Sequence, residues 1–94
     1  MEFLKDYVSD DVIEDIISNN KDIVINDLVY NQDNVVMILN YLQELGIKNT
    51  NDILVEKIDF FFRDIDEVKE HFNRYDKDVI VKLINEDISN LDMV

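Results

Sequence analysis

One glycine and no proline in 94 residues is the feature that most constrains this chain. The usual punctuation of turns is missing, so the ends of its elements have to be read from Asp, Asn, Ser and Thr, the residues that cap helix N-termini. Between those caps, apolar residues recur at three- and four-residue intervals, the period of a helix with one buried face. No stretch carries the pattern of a sheet of three or more strands. The expected fold is all-α: six to eight short helices in a compact or slightly curved stack of helical hairpin repeats, forming a single domain over residues 1–94.

Read along the chain, Glu2 to Val8 makes a short first helix, and Ser9 or Asp11 opens a second whose stripe is Val12, Ile13, Ile16 and Ile17. Asp11 and Glu14 stand at capping-box spacing, as do Asp64 and Glu67 further on. Asp22 to Tyr30 reads two ways, because Ile23, Val24 and Ile25 are consecutive β-branched residues that also suit a strand; it is assigned a turn followed by a short helix. Asp33 is expected to cap the clearest helix, carrying Val35, Ile38, Leu39, Leu42 and Leu45. Gly46 ends it as a left-handed C′ residue, with Ile47 placed to touch Leu42 in a Schellman ending. Thr50 or Asn51 then starts a helix running through Ile53, Leu54, Ile58 and Phe61. Ile65, Val68, Phe72 and Tyr75 follow in the next, and Asp76 caps one built on Val79, Ile80, Leu83 and Ile84. Ile88, Leu91 and Met93 suggest a last turn.

Composition decides what such a bundle can do. Hydrophobic residues make up 47% and charged residues 33%, enough core and enough surface for a folded domain. There is no cysteine, so neither disulfides nor thiolate metal sites hold the fold. No apolar run reaches the length of a membrane span, and Met1 to Asp10 carries acids where a signal peptide carries base, so the expected location is the cytoplasm. Alanine and proline are absent while Ile, Asn, Asp and Lys abound, a choice that AT-rich codons favour; the source this suggests is a low-GC bacterium or one of its phages.

The loudest feature is a net charge of −13, from 22 acids against nine bases. Such a field repels nucleic acid and steers basic protein surfaces inward, although acidity for solubility alone is common. Three acidic groups stand out: Asp10, Asp11, Glu14 and Asp15; Asp64, Asp66, Glu67 and Glu70; and Glu86, Asp87 and Asp92. Aspartates serving as caps and helix-dipole partners also account for many of them.

Three stretches resemble one another: Asp11-Val12-Ile13 leading to Asp22-Ile23, Asp52-Ile53-Leu54 leading to Asp64-Ile65, and Asp78-Val79-Ile80 leading to Asp87-Ile88. Together with the segment Ile38-Leu39-Asn40-Tyr41-Leu42-Gln43-Glu44-Leu45-Gly46-Ile47 and the start Asn51-Asp52-Ile53-Leu54, they give the chain a resemblance to the mitochondrial transcription termination factor family. That resemblance implies helical repeats stacked into a curved solenoid and binding to duplex nucleic acid through basic residues in its groove. Here those bases would be Arg63, Arg74 and nearby lysines. The chain departs from the family in having no proline between helices and few bases scattered among acids.

Catalytic chemistry finds little to stand on. His71 is the only histidine, and none of Ser9, Ser18, Ser89 or Thr50 carries a nucleophile's local signature. No second histidine offers metal-ligand spacing, no EF-hand loop opens at Asp64 or Asp76, and one glycine cannot make a phosphate loop. The run Phe60-Phe61-Phe62 is expected mostly in the core, with at least one ring partly exposed. The sequence therefore points to a non-enzymatic protein without cofactor or metal. Its expected partner is a basic protein, one that itself handles nucleic acid being a natural candidate, through Asp10, Asp11, Glu14, Asp15, Asp64, Asp66, Glu67 and Glu70. A DNA-mimicking inhibitor, an immunity protein and an antitoxin all fit; a termination-factor-like nucleic-acid binder and a structural assembly subunit are the alternatives.

Overall fold

The computed structural model describes residues 1–94 and is helical from end to end, with no strand. Six α-helices follow one another: α1 (Asp10–Asn19), α2 (Asp22–Tyr30), α3 (Gln32–Leu45), α4 (Thr50–Glu56), α5 (Ile65–Asn73) and α6 (Lys77–Glu86). Three 3-10 helices stand beside them at Glu2–Leu4, Ile58–Phe62 and Ile88–Met93.

The helix ends show how a chain so poor in glycine and proline turns. Asp64 and Asp76 act as N-caps, Oδ1 of each accepting from the backbone N–H two residues on, at 2.8 and 3.0 Å. C-termini are closed by asparagine: Asn20 Nδ2 donates to the Ile16 carbonyl at 2.7 Å, Asn31 Nδ2 to that of Asp27 at 2.8 Å, and Asn90 Nδ2 to that of Leu83 at 2.8 Å. At Ile16 the amide satisfies a carbonyl the helix leaves open, and at Asp27 and Leu83 it adds a second bond to a carbonyl that already accepts from the backbone N–H of Asn31 and Asp87. Gly46, at φ 95°, makes the expected Schellman ending, with its N–H on the Gln43 carbonyl and the Ile47 N–H on that of Leu42.

Several boundaries differ from the sequence expectation. The first element is only the 3-10 turn Glu2–Leu4, and α2 is helical throughout Asp22–Tyr30. α1 is preceded by Ser9, with no side-chain cap, and Asp33 lies inside the first turn of α3 because Asn31 already precedes that helix. The helix expected through Phe61 breaks at Lys57, after which Ile58–Phe62 winds as 3-10. In that segment Phe60 and Phe61 are both buried, while Phe62 is half-buried.

One cluster of buried side chains reaches from Leu4 to Val94. Leu39, Leu42, Ile53, Leu54, Phe61 and Phe72 are fully enclosed in it, each contributing about 1.5–3 kcal/mol of burial. Around it α1 packs on α4, α2 on α3, α3 on α4 and α5, and α5 on α6. With a radius of gyration of 12.8 Å, near the ~13 Å expected for a compact domain of about this length, the body is the compact form of helical stack.

Two asparagines tie distant segments together. Asn34 Oδ1 accepts from the Ile65 N–H at 3.1 Å while its Nδ2 donates to the Arg63 carbonyl at 2.6 Å, fastening α3 to the start of α5. Asn85 Oδ1 accepts from the Lys48 N–H at 2.9 Å and its Nδ2 donates to the Gly46 carbonyl at 3.1 Å, holding the turn after α3 against the end of α6.

Candidate acidic binding surface

α1 presents its acids by simple periodicity. Ile13 and Ile16 are buried and Val12 is half-buried, so Asp10, Asp11, Glu14 and Asp15 fall on the outer side, and all four are exposed. Asp10 and Asp11 lie in the first turn, where the positive end of the helix dipole favours them. None of the four has a cation within ion-pairing distance; the five ion pairs of the chain lie elsewhere. The nearby Lys5 is already bound to Glu2 at 3.1 Å. That hydrogen bond, then the Glu2 charge, with a smaller share from Asp10, holds the Lys5 ammonium above the ordinary lysine range.

The acids of α5 are exposed too, but mostly engaged. Asp64 caps the helix, Glu67 lies 3.2 Å from Arg63 and 3.9 Å from His71, and Glu70 lies 3.3 Å from Arg74. Only Asp66 is without a side-chain partner. The two groups stand on helices with different neighbours, α1 on α4 and α5 on α3 and α6. In the third group Asp87 caps the last 3-10 helix through the Ser89 N–H, and Asp92 pairs with Lys57 at 3.3 Å. The difference was readable as i,i+4 spacing, since Arg63 with Glu67 and Glu70 with Arg74 are neighbours on a helix. Charge counts carried the same signal: from Asp6 to Ile47 the chain holds nine acids and one base, Lys21.

Arg63 is the centre of the one extended polar network, which the sequence did not single out. Its Nη1 donates to the Val94 carbonyl at 2.7 Å, its Nη2 to Glu67 and to Nδ1 of His71 at 3.0 Å, and its guanidinium lies 5.2 Å from the centre of the Phe60 ring. A guanidinium only donates, so Nδ1 of His71 accepts and the ring proton sits on Nε2. This places the histidine at the edge of the buried face, half-buried, in a structural contact.

A cleft of about 510 Å³ opens beside this network, lined by Glu56, Lys57, Ile58, Asp59, Phe60, Arg63, Leu91, Asp92 and Val94. Both of its cations, Lys57 and Arg63, are bound to partners within the chain. A smaller apolar groove of about 140 Å³ lies between α6 and the last 3-10 helix, lined by Tyr75, Asp76, Val79, Ile80, Leu83 and Met93. No three histidine or carboxylate side chains converge as a metal site requires, and no helix is long and apolar enough to cross a membrane. No protein-family model, curated protein or solved structure matches the chain.

Proposed function

We propose that this protein is a non-catalytic binding protein that engages a basic surface on another protein, with Asp10, Asp11, Glu14 and Asp15 of α1 as its leading contacts. One observation carries the reading: these four carboxylates stand exposed on one helix and none of them forms an ion pair, whereas most of the acids of α5 are spent on caps and ion pairs. Unanswered like charges repel one another, and a cationic partner relieves that repulsion while being steered in by the same field. A protein built this way acts by occupying a surface, in the manner of an inhibitor that takes the place of a nucleic acid, an immunity protein or an antitoxin.

The test is affinity capture from host lysate, split into nuclease-treated and untreated halves, with three baits: wild type, the variant Asp10→Asn/Asp11→Asn/Glu14→Gln/Asp15→Asn, and the variant Asp66→Asn/Glu67→Gln/Glu70→Gln. Wild type and the α5 variant are expected to retain the same basic protein, and the α1 variant to lose it. Equal retention by all three, or capture only of nucleic acid that nuclease removes, contradicts the proposal.

A further inference from the structure

α2 is composed like a core helix, yet one of its faces is bare. Of Asp22–Tyr30 only Leu28 is fully buried; Val24, Ile25 and Val29 are half-buried, while Ile23 and Tyr30 stand 68% and 88% exposed. Seven residues is two helical turns, so these two side chains share a face, with Asp27 between them, four residues from one and three from the other.

Single exposed apolar residues are ordinary. What distinguishes this face is the charge set among them. Asp22, Asp27 and Asp33 are all exposed and take part in no ion pair, and there is no base from Asp22 to Ile47. Exposed Asn26 shares the face, and the one base beside it is Lys21, which precedes the helix; an apolar face flanked mainly by carboxylates is complementary to a segment that carries apolar residues on one side and lysine or arginine beside them. A second copy of this chain lacks that chemistry. Each copy carries −13, and a two-fold contact through this face brings the Asp22 and Asp27 carboxylates of both copies together. An anionic membrane is repelled for the same reason.

We infer that the outer face of α2 docks a basic amphipathic segment of the partner protein, apolar side chains seated over Ile23 and Tyr30 and cationic ones against Asp22 and Asp27. The inference rests on the reading that the partner is a basic protein, and it adds where the apolar part of that partner lands.

The probe is a fluorescein-labelled synthetic peptide of leucine and lysine ordered as an amphipathic helix, beside a peptide of the same composition shuffled to destroy the stripe. Binding is followed by fluorescence anisotropy at low salt. Ile23→Ser/Tyr30→Ser, at exposed positions where the fold is retained by circular dichroism, is expected to weaken binding of the ordered peptide about tenfold or more. The shuffled peptide is expected to bind wild type more weakly by a similar factor. The α1 variant neutralised at Asp10, Asp11, Glu14 and Asp15 should lose about threefold or less, since its charges act on this face only at a distance. Absence of binding, equal binding of the shuffled peptide, or binding by the α2 variant within about twofold of wild type overturns the inference. If the α1 variant still loses the lysate partner while the α2 variant keeps its peptide affinity, the general reading stands and only the α2 site falls.

Discussion

Nη2 of Arg63 donates to Nδ1 of His71 across 3.0 Å, eight residues along the chain. The same guanidinium holds the Val94 carbonyl at 2.7 Å and lies over the Phe60 ring, so one half-buried side chain ties the 3-10 helix Ile58–Phe62, α5 and the end of the last 3-10 helix together. Arg63→Ala removes all of these contacts and is expected to cost about 2–3 kcal/mol in urea denaturation. Arg63→Lys keeps the charge without the planar fork and is expected to recover less than about half of the loss. Full recovery by lysine means that charge alone matters there.

Asn34 makes its contacts from both ends of one amide, to the Ile65 N–H and the Arg63 carbonyl. Asn34→Ala leaves both backbone groups without that partner, at a cost of about 2 kcal/mol. Asn34→Asp keeps the acceptor for the Ile65 N–H but sets an anionic oxygen against the Arg63 carbonyl, so at neutral pH it is expected to be clearly less stable than wild type. A loss under about 0.5 kcal/mol for alanine shows that solvent replaces the amide.

Tyr41 is a case where the wild-type residue is not the most stable one. Its ring packs edge-on against Phe72, with centroids 5.7 Å apart, but its hydroxyl is buried without a hydrogen-bond partner. Burial also holds its phenol above the ordinary tyrosine range. Tyr41→Phe keeps the ring and removes the orphaned group, and thermal unfolding is expected to show equal or higher stability, by up to about 1 kcal/mol. A clear loss of stability means that the hydroxyl is bonded in solution.

Asp87 supplies a pH dependence with a definite sign. The Ser89 backbone N–H, then the Ser89 hydroxyl, with a small share from Lys57, holds its carboxyl below the carboxylate range in the folded chain. As pH falls, the unfolded chain takes up the proton first, so this contribution is present above the ordinary carboxylate pKa and is lost as pH drops through the folded value. Asp87→Asn still offers an oxygen to the cap and cannot titrate. Below about pH 4, its stability is expected to decline less steeply with acid than that of wild type; parallel curves contradict this account of the cap.

The parts of the fold legible in the sequence are those governed by local rules. Val35, Ile38, Leu39 and Leu42 mark the buried side of α3, and Gly46 ends it because no other residue there takes positive φ so readily. Asp64 and Asp76 announce two more starts. The break at Lys57 was hidden because Ile58 and Phe61 continue the helical period of Ile53 and Leu54, and only packing decides that the backbone tightens. The run Ile23-Val24-Ile25 left a strand open beside the short helix assigned there, and the helix extends over the whole segment because β-propensity is weak beside a tertiary fit. Asn20, Asn31 and Asn90 were indistinguishable from N-caps until their amides were seen turned back onto carbonyls. The acidic groups were legible as composition, and the i,i+4 spacing of Arg63 with Glu67 and of Glu70 with Arg74 already set α5 apart from α1. Ion pairs with Arg63 and Arg74 separate them; on α2 the exposure of Ile23 and Tyr30 was hidden, because no periodicity in so apolar a helix reveals an outward direction.

The most direct measurement is the association rate constant for the captured partner, taken by stopped flow as a function of ionic strength for wild type and for the α1 and α5 variants. Electrostatic steering by unpaired carboxylates predicts a rate that falls steeply with salt for wild type. The α1 variant should show a lower rate and a flatter slope, and the α5 variant should follow wild type. Equal rates and slopes for the α1 variant and wild type contradict the assignment of α1 as the acidic binding face.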